Sequence, residues 1–181
     1  ERGRVVFLDV KPGAVLACAS YPTFNLATFS KDYNDLVKDK YSPMLNRALM
    51  QAYPPGSTYK MATAIAALND GIITQYTTVE DKGKYDYYED YQPQCYLFTA
   101  TGMTHGVINC VQALAVSCNY FFYEVGRLTG WERMDAVAKA LGLGEPTGVE
   151  LSETKGWRAN PTSKKALYSD PAYQVFTAGA I

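Results

Sequence analysis

A double proline and a glycine, Pro54-Pro55-Gly56, lead the chain into Ser57-Thr58-Tyr59-Lys60. The small-residue run Met61-Ala62-Thr63-Ala64-Ile65-Ala66-Ala67-Leu68 follows, and it ends at Asn69-Asp70-Gly71. A run this rich in alanine predicts a helix that packs closely on all sides, with glycine closing its end. Ser57 opens that helix, and Lys60 lies three positions on. On a helix the two side chains stand about 60° apart around the axis with a rise of about 4.5 Å, so an amine lies within reach of a hydroxyl. Serine needs such a base, because it is a poor nucleophile until a neighbour activates it.

The same run has a plainer reading. Serine is a common helix N-cap, and an early lysine is usually a solvated charge. The S-x-x-K spacing also recurs at Ser152/Lys155. That second pair sits in a polar, glycine-bounded stretch with no apolar run behind it and reads as loop. Only Ser57/Lys60 opens an apolar helix, and burial there pushes the lysine toward its neutral form. The partial positive charge of a helix N-terminus acts the same way. A neutral amine is what a general base must be. Backbone N–H groups at that helix start face the place where an oxyanion forms in acyl transfer, and Gly56 leaves the approach free of a side chain.

With 181 residues, 48% of them hydrophobic, the chain is one domain's worth and can bury an ordinary core. A formal charge of −1 without a basic run argues against nucleic acid as a partner. No apolar stretch approaches the roughly 18 residues needed to cross a bilayer, and no signal peptide opens the sequence. Cys18, Cys95, Cys110 and Cys118 contain no C-x-x-C pair, and His105 is the single histidine. Ligands clustered at short spacing are missing, so neither a zinc site nor any other cofactor is expected. Cys95 and Cys110 have the option of pairing in an oxidising compartment, but buried free thiols are the favoured reading. His105 reads as a loop histidine with structural hydrogen bonds rather than a proton carrier.

Along the chain, Arg4 to Val10 and Ala14 to Ser20 read as a strand pair joined by Lys11-Pro12-Gly13. A polar connector follows, with helical character around Lys31 to Lys38 and a short helix expected over Pro43 to Ala52. Thr77 to His105 is mixed in polarity, and six of the 15 tyrosines fall between Tyr76 and Tyr96; they have the option of lining a cleft for sugars or peptides, but exposed loop aromatics are the favoured reading. Asn109-Cys110-Val111-Gln112 carries a capping-box signature and opens a helix toward Val116. Helices are expected over Tyr120 to Leu128 and Trp131 to Leu141, followed by loop from Gly142 to Asp170. Ala172 to Ile181 turns apolar and small again.

Between two apolar helical runs stands Ser117-Cys118-Asn119, the only S-x-N in the chain. Serine and asparagine compete with the helix backbone for hydrogen bonds, so a corner is expected there. A corner of this kind displays a hydroxyl able to relay a proton and an amide able to hold a peptide bond.

Gly56-Ser57-Thr58-Tyr59-Lys60 followed by Ser117-Cys118-Asn119 resembles the first two motifs of the penicillin-binding proteins and serine β-lactamases. The opening Arg2 to Val10 with Gly13 to Ala17, and Ala19-Ser20-Tyr21-Pro22, Asn46-Arg47-Ala48, Tyr53-Pro54-Pro55-Gly56-Ser57 and Thr104-His105-Gly106, are similar to stretches of the monofunctional peptidoglycan D,D-transpeptidases. The resemblance covers nearly the whole chain. It implies an α+β fold of the serine β-lactamase/transpeptidase type, an antiparallel sheet flanked by helices plus a helical subdomain. Residues 1–20 would supply the first strand pair, 43–141 the mainly helical part with the motifs, and 142–181 a loop-rich segment.

The resemblance further implies Ser57, Lys60, Ser117 and Asn119 as catalytic residues, with Asn119, Gly56 and Thr58 at substrate-binding positions. Its implied partners are peptidoglycan stem peptides, β-lactams and membrane cell-wall synthesis proteins. The implied location is the extracytoplasmic face of the bacterial membrane, with any anchor outside this segment. One departure stands out: no Lys-[Ser/Thr]-Gly occurs anywhere. The chain therefore reads as the front part of a transpeptidase domain, ending before the strand that carries the third motif, and is expected to acylate poorly alone. A serine β-lactamase and a non-catalytic β-lactam-binding sensor or scaffold are the competing readings.

Overall fold

The computed structural model describes residues 1–168, which form two compact units. The expectation for the apolar end of the chain, Ala172 to Ile181, lies outside the described residues.

The first unit comprises Glu1–Tyr53 and Glu145–Gly156. Strand β1 (Gly3–Leu8) pairs antiparallel with β2 (Val15–Tyr21), and the register shifts between Phe7 and Leu8. Asp9 closes the hairpin through its carbonyl, which accepts from Gly13 N–H at 2.9 Å, and through its own N–H, which donates to Ala14 O at 2.8 Å. Gly13 takes the left-handed conformation that this turn requires, at φ 71°. Both faces of the ribbon are open: Val5, Phe7 and Leu16 are among its exposed apolar side chains. Helix α1 (Phe29–Lys38) buries no residue.

The short helix expected over Pro43 to Ala52 is replaced by turns. The carbonyls a helix would use are engaged elsewhere. Arg47, only 3% exposed, donates from its guanidinium to the carbonyls of Tyr41, Ser42 and Leu45. Ser20 Oγ donates to Leu45 O and accepts from Arg47 N–H, and Asn46 Oδ1 accepts from Ala48 N–H. A buried guanidinium with these acceptors outweighs the local preference for helix.

The second unit comprises Pro54–Gly144 and the described residues from Trp157. A 3-10 turn, Gly56–Tyr59, runs directly into α2 (Lys60–Asn69). Helix α2 packs on α5 (Asn119–Thr129) and α6 (Trp131–Ala140). Ala62, Thr63, Ala64, Ala66 and Ala67 are buried, and their small side chains allow the close approach. The helix is not enclosed on every side, because Met61, Ile65 and Leu68 form an exposed stripe at helical spacing.

Strands β3 (Thr78–Asp81) and β4 (Gly106–Asn109) pair antiparallel and set Asp81 opposite Gly106. Between them lies α3 (Tyr96–Thr101). Asn109 then starts α4 (Cys110–Ala115) with the expected capping box, its side chain and that of Gln112 exchanging bonds of 3.0 and 2.9 Å. Phe121, Val125, Cys95, Cys118 and Ala113 are at the centre of the core, each 0% exposed. Tyr85 is buried as well, against the expectation of surface aromatics, whereas Tyr76, Tyr87, Tyr91 and Tyr96 are exposed. Within the stretch expected to be loop, α7 (Pro161–Leu167) forms. Asn160 caps it and Pro161 takes its first turn, a signal present in the sequence.

Candidate active site

The 3-10 turn determines where the nucleophile candidate sits. Three residues per turn bring positions i and i+3 onto one line, and Lys60 N–H closes the turn on Ser57 O. Gly56 enters it at φ 58°, a conformation that suits glycine. The second constellation comes from the corner between α4 and α5. There Cys118 N–H donates to Ala113 O at 2.9 Å, and Ser117 adopts φ 53°. A serine rarely takes this left-handed conformation, at a cost on the order of 1 kcal/mol. In it, the carbonyl and hydroxyl oxygens of Ser117 both reach the same amine.

That amine is Lys60 Nζ, which lies 2.7 Å from Ser117 O, 3.0 Å from Ser117 Oγ and 2.6 Å from Asn119 Oδ1. Ser117 Oγ lies in turn 3.1 Å from Ser57 Oγ. The structure therefore brings together Ser57, Lys60, Ser117 and Asn119. Among the described residues there is no direct hydrogen bond between Ser57 and Lys60. Ser117 stands between them, so the link expected within one turn runs through the corner instead.

Three oxygen acceptors match the three N–H donors of an ammonium, while a neutral amine offers two donors and a lone pair. The heavy-atom chain serves both states. With Lys60 charged, protons point from Nζ to Ser117 Oγ and on to Ser57 Oγ. With Lys60 neutral, the hydroxyls point the other way and Ser57 O–H is directed toward a base. Burial of this half-buried lysine pulls its pKa below the ordinary value, opposed by the nearby Cys118 and Cys95 sulfurs. The net direction favours the neutral amine.

Beside this chain opens a cleft of about 390 Å³ in which Ser57, Lys60 and Asn119 face Tyr91, Phe122 and Met134. Among the described residues, neither aspartate nor glutamate lines it. Gly56 borders the cleft, but Thr58 does not, and its Oγ1 donates to Pro55 O at 2.7 Å. Tyr91 takes the cleft-lining place that the sequence offered as the less favoured reading of its tyrosine-rich segment, whereas Phe122 and Tyr59 were missed as lining residues. Phe122 stands three residues after Asn119 on α5, a helical spacing that was available to find it. Tyr59 packs its hydroxyl into the wall, where burial raises its pKa.

No short-spaced ligand set occurs in the sequence, yet four candidate donors meet in space. Asp81, Cys95, His105 and Cys118 place one donor atom each within 4.8 Å of one another. These residues are ten or more positions apart in sequence, too far for a spacing signature. The fold converges them because β3–β4 pairing brings Asp81 beside His105 and the corner turns Cys118 inward. Asp81 Oδ2 accepts from His105 N–H at 3.0 Å, lies 2.8 Å from His105 Nδ1 and accepts from Cys118 Sγ at 3.6 Å. Two sulfurs, an imidazole and a carboxylate have the number and type of donors that zinc takes in four-coordinate sites. His105 is held by Asp81 through its backbone N–H and Nδ1, and Cys95, Cys110 and Cys118 are buried and outside any disulfide, whereas Cys18 is exposed.

Residues 3–172 match the family described as the penicillin binding protein transpeptidase domain. Peptidoglycan D,D-transpeptidase MrdA of Acinetobacter baumannii is 35% identical over 170 residues, covering 91% of this chain and 25% of that protein. The chain thus spans about a quarter of the length of this curated relative. The crystal structure of Pseudomonas aeruginosa PBP2 in complex with WCK 5153 superposes with a TM-score of 0.83 at 27% identity, covering 98% of this chain and 40% of that one. Penicillin-binding protein A of M. tuberculosis as an imipenem acyl-enzyme complex gives 0.78 at 26%, covering 98% and 40%. The match over residues 3–172, with solved domains of this kind superposing on nearly the whole chain, makes this chain a member of the penicillin-binding protein transpeptidase family.

Proposed function

We propose that this chain carries the nucleophile and proton relay of a peptidoglycan D,D-transpeptidase. The observation that supports it best is the run of contacts of 3.1 Å or less from Ser57 Oγ through Ser117 Oγ to Lys60 Nζ and Asn119 Oδ1. In this reading Ser57 attacks the carbonyl of the penultimate D-alanine of a stem peptide. Its proton passes to Ser117, whose own proton passes to Lys60. The tetrahedral intermediate collapses as Ser117 gives its proton to the leaving D-alanine amine and takes one back from Lys60, which is neutral again when an amine from a neighbouring stem resolves the ester. Asn119 has a side-chain amide free to hold the donor peptide while its oxygen holds Lys60. The Ser57 N–H serves as one oxyanion donor, and removing such a donor typically costs about 2.7–4 kcal/mol. β-Lactams acylate the same hydroxyl.

A hydrolytic β-lactamase needs a group that activates water against the acyl-enzyme, and among the described residues no carboxylate lines the cleft, which supports a long-lived ester. The remaining parts of the proposal follow from family membership: an extracytoplasmic catalytic domain, work alongside membrane cell-wall synthesis proteins, and slow acylation of the 181-residue chain alone, which contains no Lys-[Ser/Thr]-Gly. The test is covalent labelling of the full-length encoded protein with a fluorescent penicillin. The adduct is expected on Ser57, with a lifetime of minutes to hours, and it is lost in Ser57→Ala with the fold retained. Labelling retained in Ser57→Ala places the nucleophile elsewhere, and a millisecond lifetime points to a β-lactamase.

A further inference from the structure

The first unit contains a cleft of about 140 Å³ lined by Arg2, Gly3, Arg4, Arg47, Gln51 and Tyr53. Three arginines meet there, and among the described residues neither aspartate nor glutamate lines it. Nor does any of the three guanidinium groups form a salt bridge among the described residues. Converging like charges repel one another, and a buried charge is ordinarily paired. Arg47 is the sharpest case. It is 3% exposed and donates to three backbone carbonyls, yet its buried Nε–H has no hydrogen-bond partner. Carbonyl dipoles solvate that cation without cancelling its charge.

The other two guanidinium groups are exposed and already positioned. Arg4 stands over the Tyr53 ring, its Cζ 3.2 Å from the ring centroid, and Arg2 donates to Lys40 O at 3.1 Å. Stacking on a ring face fixes a guanidinium while its N–H donors stay open to an acceptor at the edge. Among the described residues the Arg4 side chain makes no hydrogen bond. Tyr53 O–H donates to Gln51 Oε1 at 2.5 Å, which leaves the Gln51 NH2 as a further donor. The cleft thus gathers donors and positive charge without a full negative charge to meet them.

We propose that this cleft is a binding site for one oxyanion group, a phosphate or a carboxylate, held by Arg2 and Arg4 with Arg47 as the fixed charge behind them. The planar guanidinium fork fits both groups. At about 30 Å³ per water, the cleft has the volume of roughly four to five waters, room for a single such group rather than an extended ligand. Arg47 is sealed from solvent, so it acts through its field, whereas Arg2 and Arg4 make the direct bonds. The bound anion offsets the repulsion among the three arginines and ties the start of β1 to residues 47–53.

The site is independent of the Ser57 chemistry, and its test needs no acyl transfer. The full-length encoded protein is treated with phenylglyoxal, which modifies accessible arginines, and each arginine is followed by mass spectrometry. Inorganic phosphate and acetate are compared with sodium chloride at matched ionic strength. Phosphate at about ten times its Kd should slow modification of Arg2 and Arg4 on the order of tenfold, since only the free fraction reacts. Arg133, exposed and paired with Asp70, should react at an unchanged rate. Protection by phosphate alone assigns the site to phosphate groups, and protection by acetate as well extends it to carboxylates. Arg4→Gln, checked for native circular dichroism, should abolish the phosphate protection of Arg2. Protection no greater than that given by chloride overturns the site, as does equal protection of Arg133. Phosphate protection of Arg2 that persists in Arg4→Gln overturns the joint grip. Arginines 2 and 4 that react only after denaturation overturn a site open to solvent.

Discussion

The β1–β2 ribbon and the α2–α5–α6 assembly are similarly rich in apolar residues, yet they use them in opposite ways. Val5, Val6, Phe7 and Leu8 are 42–61% exposed on β1, whereas Phe121, Val125 and Ala138 on α5 and α6 are 0% exposed. A two-stranded ribbon has no layer of its own to cover it and is marginal in isolation. Three helices carrying small residues at their contact close a core among themselves. Apolar composition therefore does not reveal where stability resides. What matters is whether a side chain has a partner layer, and among the described residues only the helical unit supplies one.

That contrast can be broken by mutation. Phe121→Ala removes a fully enclosed ring and should cost about 3–5 kcal/mol in urea unfolding. Asn109→Ala deletes one half of the capping box that starts α4 and should cost about 0.5–2 kcal/mol. Glu124 gives a smaller, pH-dependent effect. Arg127 at 2.6 Å and Tyr85 O–H at 2.5 Å hold its carboxylate below the usual range, burial opposing. A depressed carboxylate contributes stability that is fully present above its unfolded pKa of about 4.3 and is lost as pH falls through the lower folded value. Glu124→Gln should therefore flatten the acid limb of stability below about pH 4. In the 181-residue chain, Phe7→Ala on the ribbon should stay within about 0.5 kcal/mol. A Phe7→Ala cost comparable to that of Phe121→Ala would end the comparison.

The sequence made some of this legible for local reasons. Pro54-Pro55-Gly56 and the alanine run announce α2, and Asn109 with Gln112 announces α4, because caps and turns act over four residues. Ser117-Cys118-Asn119 reads as a corner for the same reason. What escaped depends on long-range partners. Pro43 to Ala52 has a helical look, but Arg47 and Ser20 redirect its carbonyls from a distance that no local rule senses. The metal-type cluster escaped because Asp81, Cys95, His105 and Cys118 meet only after β3 pairs with β4. The sequence did not disclose that Ser57 Oγ and Lys60 Nζ meet through Ser117, because that hydroxyl arrives from sixty residues away on a left-handed corner.

The proposed acyl transfer requires Lys60 to work as a neutral base reached through Ser117. The rate of Ser57 acylation by a penicillin, measured against pH in the full-length encoded protein, tests it most directly. The rate should rise with pH and level off, with a midpoint below the ordinary lysine value of about 10.4, since burial favours the neutral amine. Ser117→Ala, which removes the relaying hydroxyl, should lower the plateau. A profile with its midpoint at or above the ordinary lysine value, or a rate untouched by Ser117→Ala, would contradict the account.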